Sequence, residues 1–102
     1  MFEIDTIIGK KKLIEFCKKN KIRKLSLFGS ALRDELTNES DIDILVEFEH
    51  NHIPGLLKLA SMENDLTEFI GRKVDLRTPA ELSRYFRNEI LLNAKNLYVA
   101  SR

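Results

Sequence analysis

Residues 41–48, Asp-Ile-Asp-Ile-Leu-Val-Glu-Phe, leave this chain the least conformational choice. Ile42, Ile44, Val46 and Phe48 occupy one parity, while Asp41, Asp43 and Glu47 occupy the other, the period-2 pattern of a strand with one face on a core. Such a strand needs partner strands along its edges and an apolar layer on its Ile/Val face. Leu45 interrupts the polar parity, which predicts that part of the second face is covered too.

The flanking sequence supplies those partners. Thr6 to Asn20 places apolar residues at helical spacing among lysines and reads as an amphipathic helix, capped by Thr6 or Asp5 and stopped at Asn20. Ile22 to Phe28 reads as a strand closed by Gly29, followed by a short helix or turn over Ser30 to Leu36. Glu49 to Pro54 is a polar connection, and Pro54 opens a helix that runs to about Ile70 and ends at Gly71. Lys73 to Arg77 alternates again, with Val74 and Leu76 opposite Asp75 and Arg77. Thr78-Pro79-Ala80-Glu81 then carries an N-cap, a proline at the first helical position and a first-turn acid, predicting a last helix to about Lys95. The order predicts an α/β (α+β) fold: a small mixed β-sheet with helices packed on it.

At 102 residues with 43% hydrophobic content, the expectation is a single domain over residues 1–102. Seventeen basic and sixteen acidic residues give a net charge of +1, so no global field draws the protein to nucleic acid or an anionic membrane. Residues 1–24 hold a local surplus of five positive charges, read as a solvated helix face. A lone cysteine, Cys17, excludes an internal disulfide framework and fits a reducing cytoplasm, where it reads as a small core residue. No apolar run reaches the roughly 20 residues of a membrane span, and no apolar leader with a cleavage site is visible.

Chemistry concentrates in two places. Asp41 and Asp43 lie at i and i+2 of the predicted strand and share a face. Side by side, two carboxylates repel unless a cation offsets them, and magnesium, a hard ion held by one or two carboxylates plus phosphate oxygens, is the simplest such cation. Asp75, on another strand, joins them if the two strands are neighbours, and three carboxylates can hold two metal ions about 3.5–4 Å apart for displacement at phosphorus. Gly29 lets the backbone approach a ligand closely, Ser30 offers a hydroxyl donor beside helix N–H groups, and Arg33 offers a guanidinium fork to phosphate. A metal-chelated triphosphate fits this set, with Asp75 best placed to take a proton from an incoming hydroxyl.

Gly29-Ser30, ten intervening residues, then Asp41-x-Asp43 in an alternating strand is a specific combination. On these residues the chain resembles the minimal nucleotidyltransferase family of the DNA polymerase beta superfamily, and Gly71-Arg72-Lys73-Val74-Asp75-Leu76 resembles that family's third-carboxylate strand. The likeness runs from about Ile22 to the last helix. It implies a nucleotidyltransferase core with Asp41, Asp43 and Asp75 as catalytic metal ligands for Mg2+ (two ions), and Gly29, Ser30 and Arg33 on the phosphates of ATP. It also implies a HEPN-domain toxin as partner, silenced by transfer of AMP to a tyrosine, with the protein acting as antitoxin. Asp34 stands where the family commonly has glycine after the arginine, and Arg84 where it often has proline before the tyrosine; neither removes a metal ligand.

Two other readings compete. A binding module would neutralise its partner by contact alone, and the intact acids argue against a vestigial site. A small-molecule modifier needs an acceptor domain for which 102 residues leave little room. Nucleic-acid polymerisation lacks a basic groove with interleaved aromatics. His50 and His52 in a polar loop read as exposed, and Tyr85, Phe86 and Tyr98 read first as packing for the last helix and second as a partner surface. Oligomeric state is left open.

Overall fold

The computed structural model describes residues 9–29 and 41–100. In chain order these form α1 (Lys10–Lys19), β1 (Ile22–Phe28), β2 (Ile42–Phe48), α2 (Leu56–Ile70), β3 (Val74–Arg77), a 3-10 turn (Pro79–Glu81), α3 (Arg87–Asn93) and β4 (Lys95–Val99). The four strands make one mixed sheet in the order β3-β2-β1-β4. β1 runs antiparallel to both β2 and β4, and β2 runs parallel to β3 through the α2 crossover. The α/β expectation, a mixed sheet with packed helices, is met.

One face of the sheet carries the core. Leu13, Phe16 and Cys17 of α1 and Met62, Leu66 and Ile70 of α2 pack on Leu25 and Leu27 of β1, Ile42, Ile44 and Val46 of β2, and Val74 and Leu76 of β3. Each fully buried aliphatic side chain there contributes about 1.5–3 kcal/mol. Phe16 and Phe69 join the two helices edge to face, with ring centroids 5.8 Å apart. Ile22 has the wrong parity for this face, yet it is buried because the β1–β2 register shifts between Ile22 and Lys24. On the second face Leu45 and Ser26, cross-strand partners, are both 1% exposed, so the cover that Leu45 demanded exists. The Ser26 hydroxyl is satisfied by donating to Asn96 Oδ1 at 3.2 Å.

β3 is an edge strand whose outward N–H groups are not left open. The Val74 N–H donates to Thr67 Oγ1 (3.1 Å) and the Leu76 N–H to Glu63 Oε2 (2.8 Å), both from α2. Glu63 and Thr67 are four residues apart and therefore share a helix face, matching N–H groups two residues apart on the strand.

Several expected boundaries move. α1 opens at Lys10 rather than Thr6, because Gly9, at φ +89°, cannot belong to a right-handed helix; the proposed caps Asp5 and Thr6 lie outside the described residues. α2 starts at Leu56, two residues after Pro54. Its stop at Gly71 holds: the glycine is left-handed and its N–H returns to the Thr67 carbonyl. The expected continuous last helix is overturned. Thr78 and Glu81 do form a capping box, but after one turn Leu82 is extended at ψ 145°. Ser83 then restarts the chain, its hydroxyl accepting from the Tyr85 N–H and its carbonyl from the N–H groups of Phe86 and Arg87. Residues 95–99, expected as the helix end and beyond, are a fourth strand.

Candidate active site

The parallel register of β2 and β3 sets Asp43 directly opposite Asp75 and Leu45 opposite Arg77. Neighbouring strands are about 4.8 Å apart, so these two acids face the same side at close range. The condition set by the sequence, that the two strands be neighbours, is satisfied. Asp43 also pairs with Phe28 across β1, which brings the end of β1 and Gly29 beside its carboxylate. Asp41 precedes β2 by one residue and is exposed, while Asp43 and Asp75 are half-buried.

Gly29 sits at φ +71°, and a Cβ there would lie 3.0 Å from Asp43 Cγ and closer still to one carboxylate oxygen. Only glycine accommodates both the left-handed turn and the carboxylate packed against its backbone. The glycine at the strand end thus seats the Asp43 carboxylate. Ser30 and Arg33, and the expected short helix they open, lie outside the described residues.

Sequence reading missed Arg77. Two residues beyond Asp75 on the same strand, it shares that face and forks onto the carboxylate, Nε to Oδ1 at 3.0 Å and Nη2 to Oδ2 at 3.3 Å. Asp75 holds the guanidinium proton most firmly, through the hydrogen bond and then its charge, and Glu81 and Asp43 add to the upward shift of the Arg77 pKa. A cation therefore already offsets the acids in the protein alone. Among the described residues, no three acidic, histidine or cysteine side chains close into a metal-holding group. The donor chemistry nevertheless fits a hard divalent ion: carboxylate oxygens on one face, with one of them seated against a glycine backbone.

The other candidates separate cleanly from this site. His50 and His52 are exposed in the β2–α2 connection, as expected. Cys17 is fully buried, and burial pushes its thiol pKa up to about 12, the mark of a core residue rather than a nucleophile. Tyr85 and Phe86 do not pack the last helix; they are 79% and 60% exposed, whereas Tyr98 packs against the core. A cleft of about 570 Å3 lined by Lys10, Ile14, Lys18, Leu97 and Tyr98 lies beside β4, at the opposite edge of the sheet from Asp75. No helix among the described residues is long and apolar enough to cross a membrane.

Comparison with known proteins agrees with this geometry. Residues 10–98 match the family described as nucleotidyltransferase domain. A protein of Methanocaldococcus jannaschii provisionally named a protein adenylyltransferase is 43% identical over 76 residues, covering 74% of this chain and 75% of its own. The protein adenylyltransferase MntA of Thermococcus cleftensis is 39% identical over 70 residues, covering 69% of each chain. Among solved structures, the complex of a tri-AMPylated Shewanella oneidensis HEPN toxin with an MNT antitoxin superposes with a TM-score of 0.64 at 22% identity, over 89% of this chain and 70% of that one.

Proposed function

This chain belongs to the minimal nucleotidyltransferase family and is a nucleotidyltransferase; from that premise we propose that it transfers AMP from ATP to a tyrosine hydroxyl of a HEPN-domain toxin and thereby acts as its antitoxin in the cytoplasm. The observation that carries the reading is the pairing of Asp43 with Asp75 beside Gly29. The names of the relatives support the adenylyl group and a protein acceptor, and the AMPylated complex supports the partner.

In this reading Asp41, Asp43 and Asp75 hold Mg2+, which when bound neutralises triphosphate charge and favours ionisation of the acceptor hydroxyl. Gly29 keeps the Asp43 carboxylate in place and leaves the phosphates a close backbone approach, with Ser30 and Arg33 as their further donors. Asp75 takes the proton of the tyrosine hydroxyl as its oxygen bonds to the α-phosphorus. The bond from that phosphorus to the bridging oxygen breaks, and pyrophosphate leaves.

The test is incubation with Mg2+, α-labelled ATP and the HEPN partner, followed by denaturing separation, with Asp41→Asn/Asp43→Asn as control. Metal-dependent label on the partner, lost in the double variant together with neutralisation, is expected. A double variant that restrains the toxin as well as wild type overturns the catalytic reading and leaves neutralisation by contact.

A further inference from the structure

We propose that Arg77 is a positioning residue that occupies Asp75 in the metal-free protein and yields it to a divalent cation, so that metal entry and release of this ion pair are one exchange. The inference rests on the magnesium reading above. Three observations carry it. The guanidinium engages both oxygens of Asp75, the acid paired in register with Asp43. Asp75 and Arg77 are two residues apart on β3, which puts both on the sheet face that carries Asp43. Arg77 is also half-exposed and has nearby carboxylate charge on Glu81, so it has somewhere to go when displaced.

Physical chemistry gives the exchange its direction. Without metal, two facing carboxylates repel, and a fixed positive charge relieves them. A divalent ion on the same oxygens repels the guanidinium and replaces its charge with a larger one. Arg77 therefore favours the metal-free protein and opposes the metal. An ion pair whose acid never takes part in holding the metal would do only the first.

Arg77→Ala separates the two roles. Binding of Mn2+ alone, followed by electron paramagnetic resonance, is expected to tighten by up to about fivefold, the upper worth of an exposed ion pair. The melting temperature without metal is expected to fall, and Mn2+ to raise it further than in wild type. Arg77→Gln, which keeps most of the stem and loses the charge, is expected to behave likewise and guards against a packing effect of the truncation. Unchanged or weaker Mn2+ binding in both variants overturns the exchange and leaves the magnesium reading standing. Wild-type protein that binds no Mn2+ overturns both.

Discussion

Gly29→Ala tests whether the glycine serves the site or only the turn. At φ +71° an alanine costs about 1–2 kcal/mol for the left-handed backbone. Its Cβ would also meet Asp43, with Cγ at 3.0 Å and Cβ at 3.2 Å, so the acid must leave its present rotamer. That displacement adds about 0.5–1.5 kcal/mol. In a domain of this size the combined loss lowers the melting temperature by roughly 10–20 °C. Gly71→Ala provides the control, because Gly71 is equally left-handed at φ +79° but has nothing within 4 Å of its added Cβ. It is expected to lose only the backbone share of stability and to keep full Mn2+ affinity. Gly29→Ala is expected to lose both stability and most of its metal affinity and adenylyl transfer. Urea denaturation, Mn2+ titration and label transfer on the two variants decide the matter. Equal effects on metal binding would refute the reasoning, since the strain is shared and only the contact with Asp43 differs.

The edge seal on β3 predicts that Glu63→Ala costs about 1.5–3 kcal/mol and Thr67→Val about 1 kcal/mol. Amide exchange is expected to accelerate at Leu76 in the first and at Val74 in the second; exchange that stays slow would show that other groups seal the edge. Cys17 is protonated more tightly in the folded than in the unfolded chain, so its contribution to stability is complete below pH 9.0 and is lost as pH rises toward about 12. Between those limits stability is expected to fall by up to about 1.4 kcal/mol per pH unit relative to Cys17→Val, measured by urea denaturation across the alkaline range. If the proposed HEPN-domain partner docks on the exposed pair Tyr85 and Phe86, the double change to alanine is expected to weaken that association tenfold or more, while the melting temperature moves by under about 2 °C. Unaltered association by calorimetry would remove these aromatics from the interface.

Much of this architecture is written in short-range pattern. β1, β2, α2 and β3 each set a periodic run of apolar side chains on the core, so parity or helical spacing exposes them, and Gly71 marks a left-handed stop. β4 was hidden for a physical reason. Its register with β1 shifts between Leu25 and Ser26, so Asn96 and Tyr98 flank an extra residue, Leu97. Leu97 and Tyr98 both pack toward the core, and the alternation that identifies a strand is erased. The Thr78 cap favours one continuous last helix, whereas the structure starts again at Ser83, whose hydroxyl accepts from the Tyr85 N–H and whose carbonyl accepts from those of Phe86 and Arg87. At the site, the i, i+2 spacing points to Asp41 and Asp43, and the parallel register sets Asp75 opposite Asp43, while Asp41 lies one residue before the strand. Arg77 was visible as a residue on the same parity as Asp75, but spacing does not say which carboxylate a long flexible cation will grip.

The parallel pairing of β2 with β3 also sets when the site comes into being. β1 and β2 join across an antiparallel pairing, whereas the parallel pairing of β2 with β3 spans the α2 crossover. Asp43 and Asp75 are therefore expected to meet late in the folding reaction. Substitutions at the pair are then expected to move the unfolding limb of a chevron and leave the folding limb alone. A sheet organised this way can have its acidic chemistry rebuilt without slowing the search for its fold.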